Sequence, residues 1–314
     1  MSTPTLGRTG RPGRTAKLGR TGRLGRTGRL GRTAKLGRTG RARLSALSAY
    51  LLLLTGSVVM LIPLVWLVRS SFMGLGQIFI FPPEWIPDPW HWDNYPKALT
   101  TIPFVRYFFN TLFILVPTVI GTLITASLAA FGFSRLQWPG RDWVFGVLLS
   151  ALMLPYAVTL IPTFLLWARI GLINTYWPLV LPDWFGGTIF YVFLLRQFFL
   201  TLPKELDEAA IIDGANPLQV LRHVVVPLSR PALITVAIFS ALFEWNDFLG
   251  PLIYLNDSRQ FTLALGLAEF TGLYTSQWHL LMAASTVVIA PVLVLFLFAQ
   301  RYFIEGITLT GIKA

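Results

Sequence analysis

The chain has 314 residues, of which 54% are hydrophobic, with a mean hydropathy of +0.62 and a formal charge of +12. Several apolar runs of about 20 residues or more exclude a soluble domain and demand a bilayer. Cysteine is absent and His91, His223 and His279 are scattered, so the composition offers no disulfide, no thiolate metal site and no HExxH-type spacing.

The positive charge belongs to one end. Residues 1–43 hold 13 of the 26 basic residues and no acid, whereas the remainder has 13 basic residues against 14 acidic ones. A basic residue recurs at every third position from Arg8 to Arg41, with Leu18, Leu24, Leu30 and Leu36 spaced six apart. Gly, Thr and Arg cannot bury a core, which predicts a disordered tail over 1–43 ahead of a membrane domain over 44–314. Such a tail could bind nucleic acid or anionic lipid. The reading adopted is an expanded repeat that reinforces topology, so membrane lipid is an expected partner and nucleic acid is not. A Walker A lookalike, Gly13 to Thr21, fails because five residues separate its glycines and Arg replaces Lys, so no nucleotide is expected on this chain.

Six spans are predicted in order: Ala46–Val68, Tyr107–Phe133, Trp143–Trp167, Pro178–Leu200, Ala232–Leu255 and Leu280–Ala299. The first has a basic flank but no small-residue cleavage site, and is expected to stay as an anchor. Loop 69–104 is rich in Pro and aromatics, and its Trp85, Trp90, Trp92 and Tyr95 suit a membrane interface. A short SRLQWPGRD turn joins the second span to the third, and the fourth is interrupted by Pro182, Asp183 and the Gly186-Gly187 pair. Without the repetitive tail, Lys and Arg number eight on one side of the membrane and five on the other. That bias places both termini in the cytoplasm, together with the connection between the fourth and fifth spans.

That connection, 203–231, is the one long polar segment in the apolar body. Pro203 suits a helix start, and Glu205, Asp207 and Glu208 complement the positive end of that helix. Gly214 stops it, Asn216 and Pro217 begin a second helix, and Pro227 ends that one. The result is a helix–turn–helix hairpin.

The order Glu208-Ala209-Ala210, Asp213-Gly214-Ala215, then Val225-Val226-Pro227 resembles the EAA loop of permease subunits in ATP-driven, binding-protein-dependent importers. Here Pro227 follows Gly214 by thirteen positions, with Val226 where Leu is more usual. Two further stretches support the resemblance. Ala129 to Leu136 with Trp138-Pro139-Gly140-Arg141 is similar to a cytoplasmic turn of carbohydrate-importer permeases. Gln300-Arg301-Tyr302-Phe303 with Gly306-Ile307-Thr308 and Gly311-Ile312-Lys313 is similar to the ending of the maltose-type smaller subunit.

The resemblance implies an all-α membrane protein with six transmembrane helices and a cytoplasmic coupling hairpin, in a bacterial or archaeal cytoplasmic membrane. It implies a non-catalytic subunit that binds no cofactor, while a partner ATPase dimer uses ATP and Mg. It also implies a second homologous permease and an extracytoplasmic sugar-binding protein received by loops 69–104 and 256–279. Glu208 would offer a carboxylate to the ATPase, Ala209 and Ala210 would permit close approach, and Asp213 and Gly214 would set the turn. Within the fifth span, Glu244, Trp245, Asn246 and Asp247 either line the substrate path or brace neighbouring helices, because acids at such depth must face protein or water. Asn110, Thr111, Asp183 and Arg196 are weaker candidates of the same kind. A di- or oligosaccharide is the expected substrate. The alternatives are a polyol phosphate importer, a stand-alone secondary transporter, and a membrane-anchored binding protein led by its tail.

Overall fold

A computed structural model describes residues 30–185, 189–272 and 276–311, with side chains between Ala46 and Gln300. Residues 1–29, the Gly186-Gly187 pair and the side chains of the C-terminal motif lie outside that description. The described chain is helical, and the one bridge found among its residues joins Thr271 and Ser276. A backbone in hydrocarbon has no water to bond to, so self-satisfied helices are the expected form.

The chain separates into two units, Met1–Ile62 and Pro63–Ala314. The boundary falls inside α1 (Leu30–Ser71) at its internal Pro63. Helix α1 therefore begins within the repeat, and the segment expected to be disordered overlaps it over 30–43. In the first unit the side chains from Ala46 onward are exposed on all sides, as befits a helix apolar all round.

The second unit is built around α3 (Phe104–Ser134). It packs against α6 (Trp177–Trp184), α7 (Ile189–Thr201) and α11 (Arg230–Asn246). Lipid tails are as apolar as leucine, so helices associate in a bilayer by close packing of small residues. Gly121, Thr122, Ala126 and Ala130 supply that on α3. The Trp184 indole lies over Gly121 and donates to the Pro117 carbonyl at 2.9 Å, and a Cβ at Gly121 would stand 2.0 Å from its nitrogen.

Among the described residues, four helical segments are long and apolar enough to cross a membrane: Ala46–Ser71, Phe104–Ser134, Trp177–Thr201 and Trp278–Gln300. The count reaches six if each of two bent pairs is one span. The expected third span is such a pair. It bends by 98° between Met153 and Tyr156, joining α4 (Arg141–Ser150) with its short 3-10 extension to α5 (Tyr156–Arg169). Pro155 explains the break, since it lacks an N–H and forces Leu154 to extended backbone. The expected fifth span is shorter than its apolar run. Helix α11 stops at Asn246, Asp247 is extended, and its carboxylate accepts from the Gly250 N–H at 3.1 Å to begin α12 (Leu249–Tyr254).

On the loop side away from the hairpin, the stretch read as loop contains α2 (Asn94–Thr101). Buried Asn94 donates to the carbonyls of Ser71 and Met73, each at 2.9 Å. Asn110 donates to the Arg259 and Phe261 carbonyls, and Thr111 accepts from the Leu263 N–H, all at 2.9 Å. These two residues brace loop 256–279 and the start of α13 (Leu263–Leu267).

Overpacking at Gly121 is expected to be costly. Gly121→Ala should destabilise the detergent-solubilised protein by about 1–3 kcal/mol, whereas Gly146→Ala, which meets open space on α4, should be neutral or slightly stabilising. Thermal unfolding of the two variants side by side checks this.

Candidate functional site

The hairpin starts with α8 (Glu205–Ile212), whose first turn carries Glu205, Asp207 and Glu208. It ends in a Schellman motif. The Ala215 N–H donates to the Ala210 carbonyl and the Gly214 N–H to the Ile211 carbonyl, both at 2.9 Å, with Gly214 at φ +87°. The second arm opens with a capping box. The Asn216 carboxamide accepts from the Gln219 N–H at 3.0 Å, and the Gln219 side chain accepts from the Asn216 N–H at 2.8 Å. This arm runs through α9 (Pro217–Val220), a π turn over Leu221–Val225 and α10 (Val226–Leu228), then meets α11 at 82°.

Two kinds of contact hold the hairpin to the spans. Val220, Leu221 and Val225 are buried in one cluster with Ala130 and Phe131 of α3, Leu195 and Phe199 of α7, and Val236 of α11. Outside the hydrocarbon, burying each such side chain contributes about 1.5–3 kcal/mol. The second contact is an ion pair. Arg135 Nη1 lies 3.1 Å from Asp207 Oδ2, with the two side chains only 4% and 15% exposed. Arg135 Nη2 also donates to the Phe199 and Leu202 carbonyls at 2.6 and 3.0 Å, at the end of α7.

Of the residues expected to couple to an ATPase, Glu208, Ala209, Asp213 and Gly214 are exposed on the hairpin. Ala210 instead packs with Ala215 against the buried cluster, so its small size serves the turn. Beside the exposed carboxylates stand Ile212, 85% exposed, and Leu218, 63% exposed. These apolar side chains were missed in reading the segment as simply polar. Large apolar groups therefore stand beside charges on the exposed side of the hairpin. The Arg135–Asp207 pair was also missed, because the two residues are far apart in sequence and each has an adequate local reading.

The residues expected along the path separate. Glu244 stands near Asp183 of α6, and Asp247 lies within electrostatic range. Trp245 turns the other way. It is 7% exposed, sits edge-on to Phe108 at 6.0 Å and donates to the Val288 carbonyl of α14 (Trp278–Gly311) at 3.3 Å. Here Trp245 braces helices and offers no open ring face. Asn246 is exposed and donates to the Leu242 carbonyl of its own helix. Arg196 lies near the Arg135 end of the molecule, where it donates to the Phe133 carbonyl and Asp142 and covers the Phe145 ring at 4.2 Å. Among the described residues no group of three His, Asp or Glu is placed to hold a metal ion.

Residues 37–308 match the family described as the binding-protein-dependent transport system inner membrane component. The chain belongs to this family of permeases. The permease is 33% identical over 261 residues to the diacetylchitobiose uptake system permease protein NgcG of Streptomyces coelicolor, covering 82% of this chain and 86% of the relative. It is 31% identical over 277 residues to the sn-glycerol-3-phosphate transport system permease protein UgpE of Rhizobium meliloti, covering 85% and 97%. Its fold is similar to that of a chain in the crystal structure of a bacterial ABC transporter involved in the import of the acidic polysaccharide alginate. The TM-score is 0.73 at 23% identity, over 83% of this chain and 97% of that one. The permease is thus a multi-pass inner-membrane subunit of an ABC importer, non-catalytic itself, with ATP handled by a partner ATPase.

The capping box makes the second arm of the hairpin testable by itself. Asn216→Ala should cost about 1 kcal/mol locally, read as a roughly fivefold faster amide exchange across 217–225 with the spans unchanged.

Proposed function

We propose that the permease couples ATP binding to passage of a di- or oligosaccharide, with the hairpin and both termini in the cytoplasm. The observation that carries this reading is a rigid projection that exposes Glu208, Ala209, Ile212, Asp213 and Leu218 while its opposite side is fixed to α3, α7 and α11. A cleft on the ATPase receives the exposed side, where Glu208 meets a basic group and Ile212 and Leu218 fill apolar hollows. A second, homologous permease completes the path, and loops 69–104 and 256–279 receive a binding protein loaded with sugar.

The relatives support two substrate classes, since one is named for diacetylchitobiose and another for sn-glycerol-3-phosphate. Of the two, the di- or oligosaccharide is the first reading and a polyol phosphate the second. Roles for Glu244, Asn246 and Asp247 along the path belong to the same proposal.

The test is a mild-detergent pull-down of the tagged chain from its native membrane, with co-purifying proteins identified by mass. An ATPase, a second multi-pass permease and a soluble binding protein are expected, and the binding protein's ligand then names the substrate. A chain recovered reproducibly alone, under conditions shown to preserve complexes, favours a stand-alone secondary transporter. Within the importer, Gly214→Asp should abolish uptake while insertion remains intact. A Cβ at Gly214 meets nothing within 4 Å in this chain, so the loss would come from the positive φ and from a charge set against the partner. Native uptake by that variant would count against docking through this turn.

A further inference from the structure

Helix α3 is the centre of the packed spans, yet it has no covalent link to the hairpin. Chain connections run instead from α7 into α8 and from α10 into α11. Movement of the hairpin therefore reaches α3 through non-covalent contacts alone. The apolar cluster around Val220 and Val225 is one such contact, and it is non-directional, because apolar side chains can slide past one another. Arg135 is the other, and its geometry is directional.

Arg135 closes the C-terminus of α3, where its own N–H donates to the Phe131 carbonyl at 2.9 Å. From there its guanidinium reaches two further elements. One terminal nitrogen holds Asp207 of α8 at 3.1 Å, and the other takes the Phe199 and Leu202 carbonyls at the end of α7. Those carbonyls fall where a helix runs out of its own donors, so an added cation and donor are favourable there. A planar fork can make these contacts at fixed angles, which a lysine ammonium cannot. Between Thr201 and Glu205 only a short link joins α7 to α8, and the same guanidinium spans it. The α7 end, the α8 start and the α3 end are thereby held at one point.

We infer that Arg135 is the positioning residue through which the hairpin moves α3, with Asp207 as its counterpart on the hairpin. This rests on the importer reading above. In it, Glu208 and Ile212 take up the movement of the ATPase, and Arg135 passes it to the spans.

The absence of cysteine makes the test clean. Cysteines are placed at exposed Arg222 on the hairpin's second arm, exposed Val105 at the far end of α3 and exposed Phe296 on α14 as the reference. Spin-label distances from Phe296 to the other two sites are then measured in the assembled complex, with and without Mg-ATP. In the native chain both distances should shift. The paired variant Arg135→Met with Asp207→Leu replaces the ion pair by apolar side chains, which avoids leaving either charge buried and alone. It should keep the Arg222 shift and lose the Val105 shift, an outcome that a purely stabilising role would not produce. Arg135→Lys, which keeps the charge but not the fork, should retain only part of the Val105 shift. A native-sized Val105 shift in either variant overturns the inference while leaving the importer reading standing. Native labels that ignore Mg-ATP in an assembled complex overturn hairpin coupling itself, and this inference with it.

Discussion

In hydrocarbon a peptide group has no water to bond to, so every interruption of a helix must be made good by the chain itself. That constraint decides where this fold breaks and which side chains stand at the breaks. Where α11 ends, the Asp247 carboxylate takes an N–H of α12. Asn174, at φ +61°, accepts from the N–H groups of Asn256 and Asp257 at 2.9 Å, just beyond the end of α12. The polar side chains at these breaks thus serve the backbone.

A different force operates at the hairpin. Packing between spans gains little from burial, since lipid already solvates apolar side chains, and it relies on the fit of small residues such as Gly121 and Ala126. The hairpin stands at the water side, where burying Val220, Leu221 and Val225 draws on the hydrophobic effect in full. It is therefore firmly seated on one face while its other face keeps Ile212 and Leu218 in solvent. One rigid segment with a satisfied side and an unsatisfied side is what a transmitted movement requires. The Schellman turn and the capping box add stiffness, because each supplies orphan backbone groups with partners inside the hairpin.

Much of the fold was legible in the residues. Apolar runs located the spans, and Pro203, Gly214, Asn216 and Pro217 located the arms of the hairpin, because these signals act over one or two helical turns. The breaks within the third and fifth spans were not legible, for a physical reason. Hydropathy reports whether a residue tolerates lipid and says nothing of direction, so an apolar run continuing past Pro155 or Asp247 looks like one helix although its axis turns there. Trp245 shows the same limit on a smaller scale. Its type suits a sugar platform and a packing wedge equally well, and only its position against Phe108 and α14 separates the two.

By itself the sequence determined the helical class, the membrane location, the position of the hairpin and the residues at its turn, since all of these follow from local chemistry and from the solvent each segment tolerates. Tertiary structure alone decided which charges are partners. Asp207 read as a helix-end carboxylate and Arg135 as part of a loop motif, and both readings are locally sufficient. Their pairing depends on α3, α7 and α8 ending at the same point in space, and that convergence is a property of the packed helices that no single segment encodes.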